Sequence, residues 1–212
     1  MDEEVSYGSE EGVSQEQDGP GVTLSRLRRI WMNERLSPEL LAFDTQLVED
    51  STRLLASAEA RAKAVGSWIG DVLQLEVDRV RFMLCEYLRT RLRKIQKFPF
   101  WTLSDRDTSE RLSESELVFA GEYVDLVAEH LDHSFLSQVP ERHRVLGDDL
   151  SVMINAPRLD SHIFIKVLQD IGPFQDVTLP ESGPILLVQD DQILMRYRAI
   201  QGLLRQNRVQ LL

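Results

Sequence analysis

The sequence predicts an α+β fold: an N-terminal all-α helical bundle followed by a small β-rich C-terminal domain. Three observations carry that expectation. Up to about residue 140, apolar residues recur at helical spacing. After residue 158 the texture changes to short β-branched and aromatic runs such as Ile163-Phe164-Ile165-Lys166-Val167. Pro, Gly and Asp pairs punctuate those runs, as turns require. The 212 residues are 42% hydrophobic and 28% charged, a globular composition long enough to bury a core without disulfides. The expected organisation is an acidic disordered tail at 1–21, a helical domain at 22–140, a linker at 141–158 and a β-rich domain at 159–212.

The tail holds seven acidic residues and no Lys or Arg in its first nineteen positions. It has too few apolar groups to offset its ordering entropy. A first helix is expected from Thr23, a plausible N-cap, with Leu24, Leu27, Ile30 and Trp31 on one face. A second is expected from Ser37-Pro38 to about Val65, ended by Gly66. The third runs from about Ser67 to Lys97 and stops at Phe98-Pro99. Val77, Val80, Leu84, Leu88 and Ile95 share one side of it, flanked by Tyr87 and Leu92. Residues 99–112 read as a polar connection. Ser113 and Glu116 form a capping box that opens a fourth helix to about His130, carrying Leu117, Phe119, Ala120 and Tyr123. A short helical piece follows over Phe135–Val139. About five short strands are expected after the linker, including 163–167, 177–179, 185–188, 193–197 and 209–212.

Composition excludes several function classes. The formal charge of −11 argues against an independent duplex-DNA binder, although a local basic face remains compatible with it. A single cysteine, Cys85, allows no intramolecular disulfide and no Cys-based zinc site. The longest apolar runs are four residues, far short of the roughly 20 that a membrane-spanning helix needs. The opening Met1-Asp2-Glu3-Glu4 is not a secretory signal. No phosphate-binding loop, dinucleotide fingerprint, zinc-protease motif or nucleophile elbow occurs, and no enzyme or cofactor is expected. His130 and His133 share a helix face but lack further metal ligands at a recognisable spacing.

The third helix carries seven basic and three acidic residues between Glu76 and Lys97. Arg79, Arg89, Arg93 and Lys97 lie opposite its apolar stripe, and they are the candidate DNA-proximal residues of an alternative, nucleic-acid-binding reading. Arg81 and Arg91 fall inside the apolar arc. Each must find a carboxylate or carbonyl, within the chain or across a subunit interface, because an unpaired buried charge is too costly.

A family resemblance becomes visible here. Trp31-Met32-Asn33-Glu34-Arg35-Leu36-Ser37-Pro38-Glu39-Leu40-Leu41 resembles the opening of the Sld-five subunit family of the eukaryotic GINS complex. Arg79-Val80-Arg81-Phe82 and the run from Tyr87 to Phe98 resemble the family's basic helix. Leu159-Asp160-Ser161-His162-Ile163-Phe164-Ile165 resembles one of its strands, and Arg196-Tyr197-Arg198-Ala199-Ile200 and the terminal Val209-Gln210-Leu211-Leu212 resemble two further motifs. The motifs occur in family order.

The resemblance implies a helical A-domain, a small β-rich B-domain, and a nuclear, non-catalytic scaffold in a heterotetramer with three other GINS subunits. It further implies a replicative helicase assembly with the MCM hexamer and a RecJ-like activator, linked to polymerases and a replisome adaptor. It leaves direct DNA contact open. The acidic tail is a second candidate for docking on such an adaptor. Interface or structural candidates are Trp31, Arg81, Leu84, Leu88, Arg91, Ile95, Leu117, Phe119, Tyr123, Asp160, Phe164, Tyr197, Leu211 and Leu212. With about 54 residues the β-rich domain is marginal alone, so it is expected to dock on a neighbour.

Overall fold

The computed structural model describes residues 19–140, 155–176 and 183–212. Residues 1–18 of the expected tail, most of the expected linker and the expected strand at 177–179 lie outside the described residues, and Pro20 and Gly21, expected in the tail, belong to the first helix. The helical region comprises α1 (Pro20–Leu36), α2 (Thr45–Val65), α3 (Trp68–Lys97), α4 (Pro99–Ser104), α5 (Arg106–Ser109) and α6 (Glu114–Ser134), then a 3₁₀ turn at Leu136–Gln138. The β-rich region comprises β1 (His162–Val167), β2 (Gly172–Phe174), β3 (Ile185–Leu187), β4 (Gln192–Arg196), α7 (Tyr197–Arg205) and β5 (Val209–Leu211). It forms an antiparallel sheet in the order β4-β1-β5 and a β2-β3 hairpin.

Helix α3 is the spine. Ser67 caps its start, accepting from the Ile69 amide, and Pro99 follows its end. Val77, Val80, Met83 and Leu84 pack against Leu27 of α1 and Leu47 and Leu55 of α2. Burying each such side chain contributes about 1.5–3 kcal/mol. Between α2 and α3, Gly66 adopts φ +55, a left-handed helix end. Gly70 lies so close to α2 that a Cβ there would meet the Ala62 carbonyl oxygen at 2.8 Å. Further along α3, Ile95 packs with Leu40 and Ala120. The Ser113–Glu116 capping box forms in full at the start of α6.

Several local expectations are corrected. Helix α1 begins at Pro20, three residues before Thr23, because proline suits the first helical position and its missing N–H costs nothing there. The second helix does not begin at Ser37-Pro38. Residues 37–44 are an irregular strap, and Asp44 caps α2 instead, accepting from the Leu47 amide. Residues 99–112 are not a plain connection: Pro99 starts α4, and Asp105 caps α5 by accepting from the Thr108 amide. Pro173 sits in β2, a two-stranded position where the missing N–H is tolerated. The expected strand at 193–197 ends at Arg196. Tyr197 opens α7, whose Tyr197, Ile200, Leu203 and Leu204 recur at helical spacing and are buried.

The β-rich region docks on the chain's own helices rather than awaiting a neighbour for its core. Its ten buried apolar residues, including Ile165, Met195, Tyr197, Ile200 and Leu211, are joined by Leu36 and Leu41 from the helical region. The Leu211 amide donates to Asn33 Oδ1 at 2.9 Å, tying β5 to α1.

Candidate functional site

Two features of the helical region stand out chemically: a buried charged cluster and an exposed apolar stripe. The cluster centres on Arg91, whose side chain is 0% exposed. Its Nε and Nη2 donate to the two Glu116 oxygens at 2.7 and 2.9 Å. Its Nη1 donates to Glu34 Oε2 at 3.1 Å and to the Leu41 carbonyl at 2.7 Å. Its Nη2 also donates to the Arg111 carbonyl at 3.0 Å. All five guanidinium donors are therefore used. The Phe43 and Tyr87 rings flank the guanidinium at 5.2 and 5.8 Å.

Lys94 continues the cluster, donating to Glu34 Oε1, Ser37 Oγ and the Glu39 carbonyl. Glu39 accepts from Arg111 Nη1 at 2.9 Å, from the Tyr197 hydroxyl at 2.7 Å and from Gln201 Nε2 at 2.6 Å. Three cations (Arg91, Lys94, Arg111) thus meet three carboxylates (Glu34, Glu39, Glu116). The strap at 37–44 is irregular because these side chains, not a helical ladder, satisfy its backbone.

Electrostatics follow from the burial. Desolvation would lower the Arg91 pKa, but the Glu116 hydrogen bonds and the Glu34 and Glu116 charges outweigh it and hold the group above its ordinary value. Desolvation wins at Lys94 and lowers it against the pull of Glu34. Burial pushes the Tyr87 phenol up to about 12. Burial, with the Glu39 charge, also raises Tyr197.

The apolar stripe runs along the opposite side of α3. Trp68 exposes 74% of its surface, Leu75 70% and Phe82 56%, with Val72 between them also exposed. At about 100° per residue these four share one face, turned away from Val77, Val80 and Leu84. Helix α6 adds exposed Leu117, Val118 and Leu126. Arg79, also exposed, falls on the α3 face between Leu75 and Phe82. Large apolar side chains gathered on one exposed face mark an interaction site.

The sequence-derived candidates divide among these features. Leu84, Arg91, Ile95, Tyr197 and Leu211 are buried within the chain. Leu88, Phe119 and Tyr123 are half-buried, and Phe119 stacks with Tyr123. Trp31 is half-buried and meets Phe82 edge-on at 6.3 Å. Leu117, Phe164 and Leu212 are exposed. Arg81 is exposed, not enclosed by the apolar arc, and pairs with Glu59 and with Asp78. Asp160 pairs with Arg198 at 2.9 Å, which holds its carboxyl below the ordinary value. Among the basic candidates, Arg79 pairs with Glu76, Arg89 and Arg93 with Glu86, and Lys97 lies over the Phe98 ring.

Sequence reasoning missed Trp68, Val72 and Leu75, although their spacing with Phe82 already repeats at three, four and seven residues. It also missed Glu34, Glu39, Lys94 and Arg111 as one cluster, for which no local signal exists. Among the described residues, no group of three or more His, Cys, Asp or Glu is placed to hold a metal ion, and no helix is long and apolar enough to cross a membrane.

Residues 69–135, from α3 into α6, match the family model of the GINS complex protein helical bundle domain. Residues 157–212 match that of the DNA replication complex GINS protein SLD5 C-terminus. The DNA replication complex GINS protein SLD5 of Homo sapiens is 32% identical over the whole of both chains. That of Bos taurus is 32% identical over 91% of this chain and 90% of its own. The Arabidopsis thaliana protein of the same name is 27% identical over 88% and 89%. The chain belongs to the SLD5 family of GINS proteins. Within this SLD5-family chain the charged cluster straddles both matched regions: Arg91 and Glu116 lie in the helical one, and Tyr197 and Gln201 lie in the C-terminal one.

Proposed function

We propose that this chain is a non-catalytic scaffold subunit of a GINS heterotetramer. Family membership carries a role in DNA replication. The finer reading is a nuclear assembly with three other GINS subunits that serves the replicative helicase with the MCM hexamer and a RecJ-like activator. The observation that carries it is the open apolar stripe Trp68, Val72, Leu75 and Phe82, on the far side of α3 from its own core. A helix apolar on two sides has more surface than the described residues cover, and a partner helix is the natural cover. The nucleic-acid alternative draws less support. Arg79, Arg89 and Arg93 already face neighbouring carboxylates, which a phosphate backbone would have to displace.

Co-expression with three other GINS subunits, followed by size-exclusion chromatography with light scattering, tests the reading. The expected result is a stable complex of 1:1:1:1 composition. A monodisperse monomer that ignores those subunits overturns it.

A further inference from the structure

The β-rich sheet has one edge that nothing among the described residues covers. Strand β4 is an outer strand, paired only with β1, from His162 opposite Arg196 to Lys166 opposite Gln192. The Tyr197 amide donates to the Ser161 carbonyl, and the Val167 amide donates to the Asp191 carbonyl, each at 2.9 Å. The antiparallel ladder alternates. The N–H and C=O groups of Ile193 and Met195 therefore point at β1, and those of Gln192, Leu194 and Arg196 point at the open edge. The same three residues carry their side chains on the outer face, away from the core that Met195 and Ile165 fill.

That outer face is apolar at its centre and basic at its margins. Leu194 is 50% exposed, and its cross-strand partner Phe164 is 58% exposed. Leu212 extends the patch beyond β5. The flanking outward positions are His162, Lys166, Gln192 and Arg196, and β1, β4 and β5 contain no Asp or Glu at all. Lys166 pairs with Asp190 in the preceding turn. Arg196 makes no hydrogen bond or ion pair among the described residues. The β4 edge is thus bare and apolar, with the Arg196 guanidinium beside it and Asp160 near enough to feel that charge. Open edges usually carry a bulge, a proline or an inward-pointing charge, and β4 has none of these.

We infer that the β4 edge binds an extended segment of a partner protein as an added strand. Main-chain bonds to Gln192, Leu194 and Arg196 would supply the docking, as in other cases of strand addition. Side chains two positions apart share a face. The segment is therefore recognised by an apolar residue over Leu194 and Phe164, with a carboxylate two positions away that pairs with Arg196. This assignment is independent of which subunits meet the α3 stripe.

Amide exchange followed by NMR on the full chain tests it, with the acetylated peptide Thr-Val-Thr-Glu-Thr-Val-Thr as probe. In the free protein the Leu194 and Arg196 amides exchange at least tenfold faster than those of Ile193 and Met195. Saturating peptide slows the Gln192, Leu194 and Arg196 amides at least tenfold and leaves Ile193 and Met195 unchanged. Arg196→Glu loses the peptide and gains one in which Lys replaces Glu, while retained protection of Ile193 and Met195 shows that the sheet is intact. No slowing at millimolar peptide overturns the proposal, as does equal binding of the Glu and Lys peptides to the unaltered protein. Edge amides already protected in the full chain, but freed when residues 1–18 are deleted, would mean that the chain's own terminus occupies the edge. Protection that fades on dilution would mean that a second copy does.

Discussion

Along the solvent side of α3, the first half presents Trp68, Val72, Leu75 and Phe82 with Arg79 among them, and the second half presents Arg89, Arg93 and Lys97. The core side differs as well. Its first half meets α1 and α2 mainly through apolar packing, with the Arg81–Glu59 pair and the Trp31–Phe82 contact at its margin, and its second half carries Arg91 and Lys94 into a closed set of charges. One continuous helix therefore does two jobs. The core side of the second half is finished within the chain, since every donor of the Arg91 guanidinium has its acceptor. The first half is unfinished, and apolar surface is what it leaves over.

The sharpest way to break the finished half is Arg91→Met. It strands Glu116 and leaves Glu34 with Lys94 as its one cation, and removing one member of such a set costs about 3–5 kcal/mol. Urea denaturation should show that loss, and less than about 1 kcal/mol would mean that the cluster is solvated. Adding Glu116→Gln should recover part of it, because much of the cost lies in the stranded carboxylate. The unfinished half should respond in the opposite way. Trp68→Asp with Leu75→Asp should change the stability of the lone chain by only about 0.5 kcal/mol per site. The same pair should weaken assembly with GINS subunits by at least about 2 kcal/mol, roughly 30-fold in affinity. Titration by light scattering separates the two effects, and an unaffected assembly would place the contact elsewhere.

A smaller effect is expected where the two regions of the chain meet. Tyr197→Phe removes one of the donors to Glu39 and leaves Arg111 and Gln201 in place. The cost should be about 1–3 kcal/mol. Faster exchange of the Leu211 amide, whose acceptor is Asn33 across the same junction, is the readout.

What the sequence discloses about these features depends on the range of the forces involved. Helix α3 is legible because its cap, its terminating proline and its aliphatic stripe are all local. The Ser113–Glu116 box is legible for the same reason. The strap at 37–44 is not, since Ser-Pro is a sound local start signal that charges from α3, fifty or more residues away, override. The pairing of Arg91 follows from the cost of an unpaired charge, but its partners come from two distant segments that no spacing links. Tyr197 reads as the end of a strand because Ile193 to Tyr197 alternates acceptably. Only the recurrence of Ile200, Leu203 and Leu204 shows that the chain turns helical there. The exposed stripe on α3 has a plain helical period, yet periodicity alone does not say which of two apolar faces the chain buries.

The smallest expected effect at neutral pH belongs to Tyr87, and it sharpens the boundary between the two halves. Its side chain is wholly buried beside the Arg91 guanidinium, and its hydroxyl makes no well-formed hydrogen bond. Tyr87→Phe should therefore move stability by no more than about 1 kcal/mol at pH 7. Alkali reveals the difference. Burial raises the folded pKa to about 12, against roughly 10 in the unfolded chain. The folded state holds that proton more tightly, so the contribution is complete below about pH 10 and is lost as pH climbs toward 12. The loss is about 3 kcal/mol for this group. Tyr197, raised in the same direction, adds to the alkaline fall, whereas Lys94, lowered by burial, opposes it just below its ordinary range. The difference between the Tyr87→Phe and unaltered urea midpoints, followed from pH 8 to 11, isolates Tyr87 from both. A gap that widens above pH 10 places the phenol in the dry second half of α3. Parallel curves would mean that water reaches it, and that the closed cluster begins only beyond Tyr87.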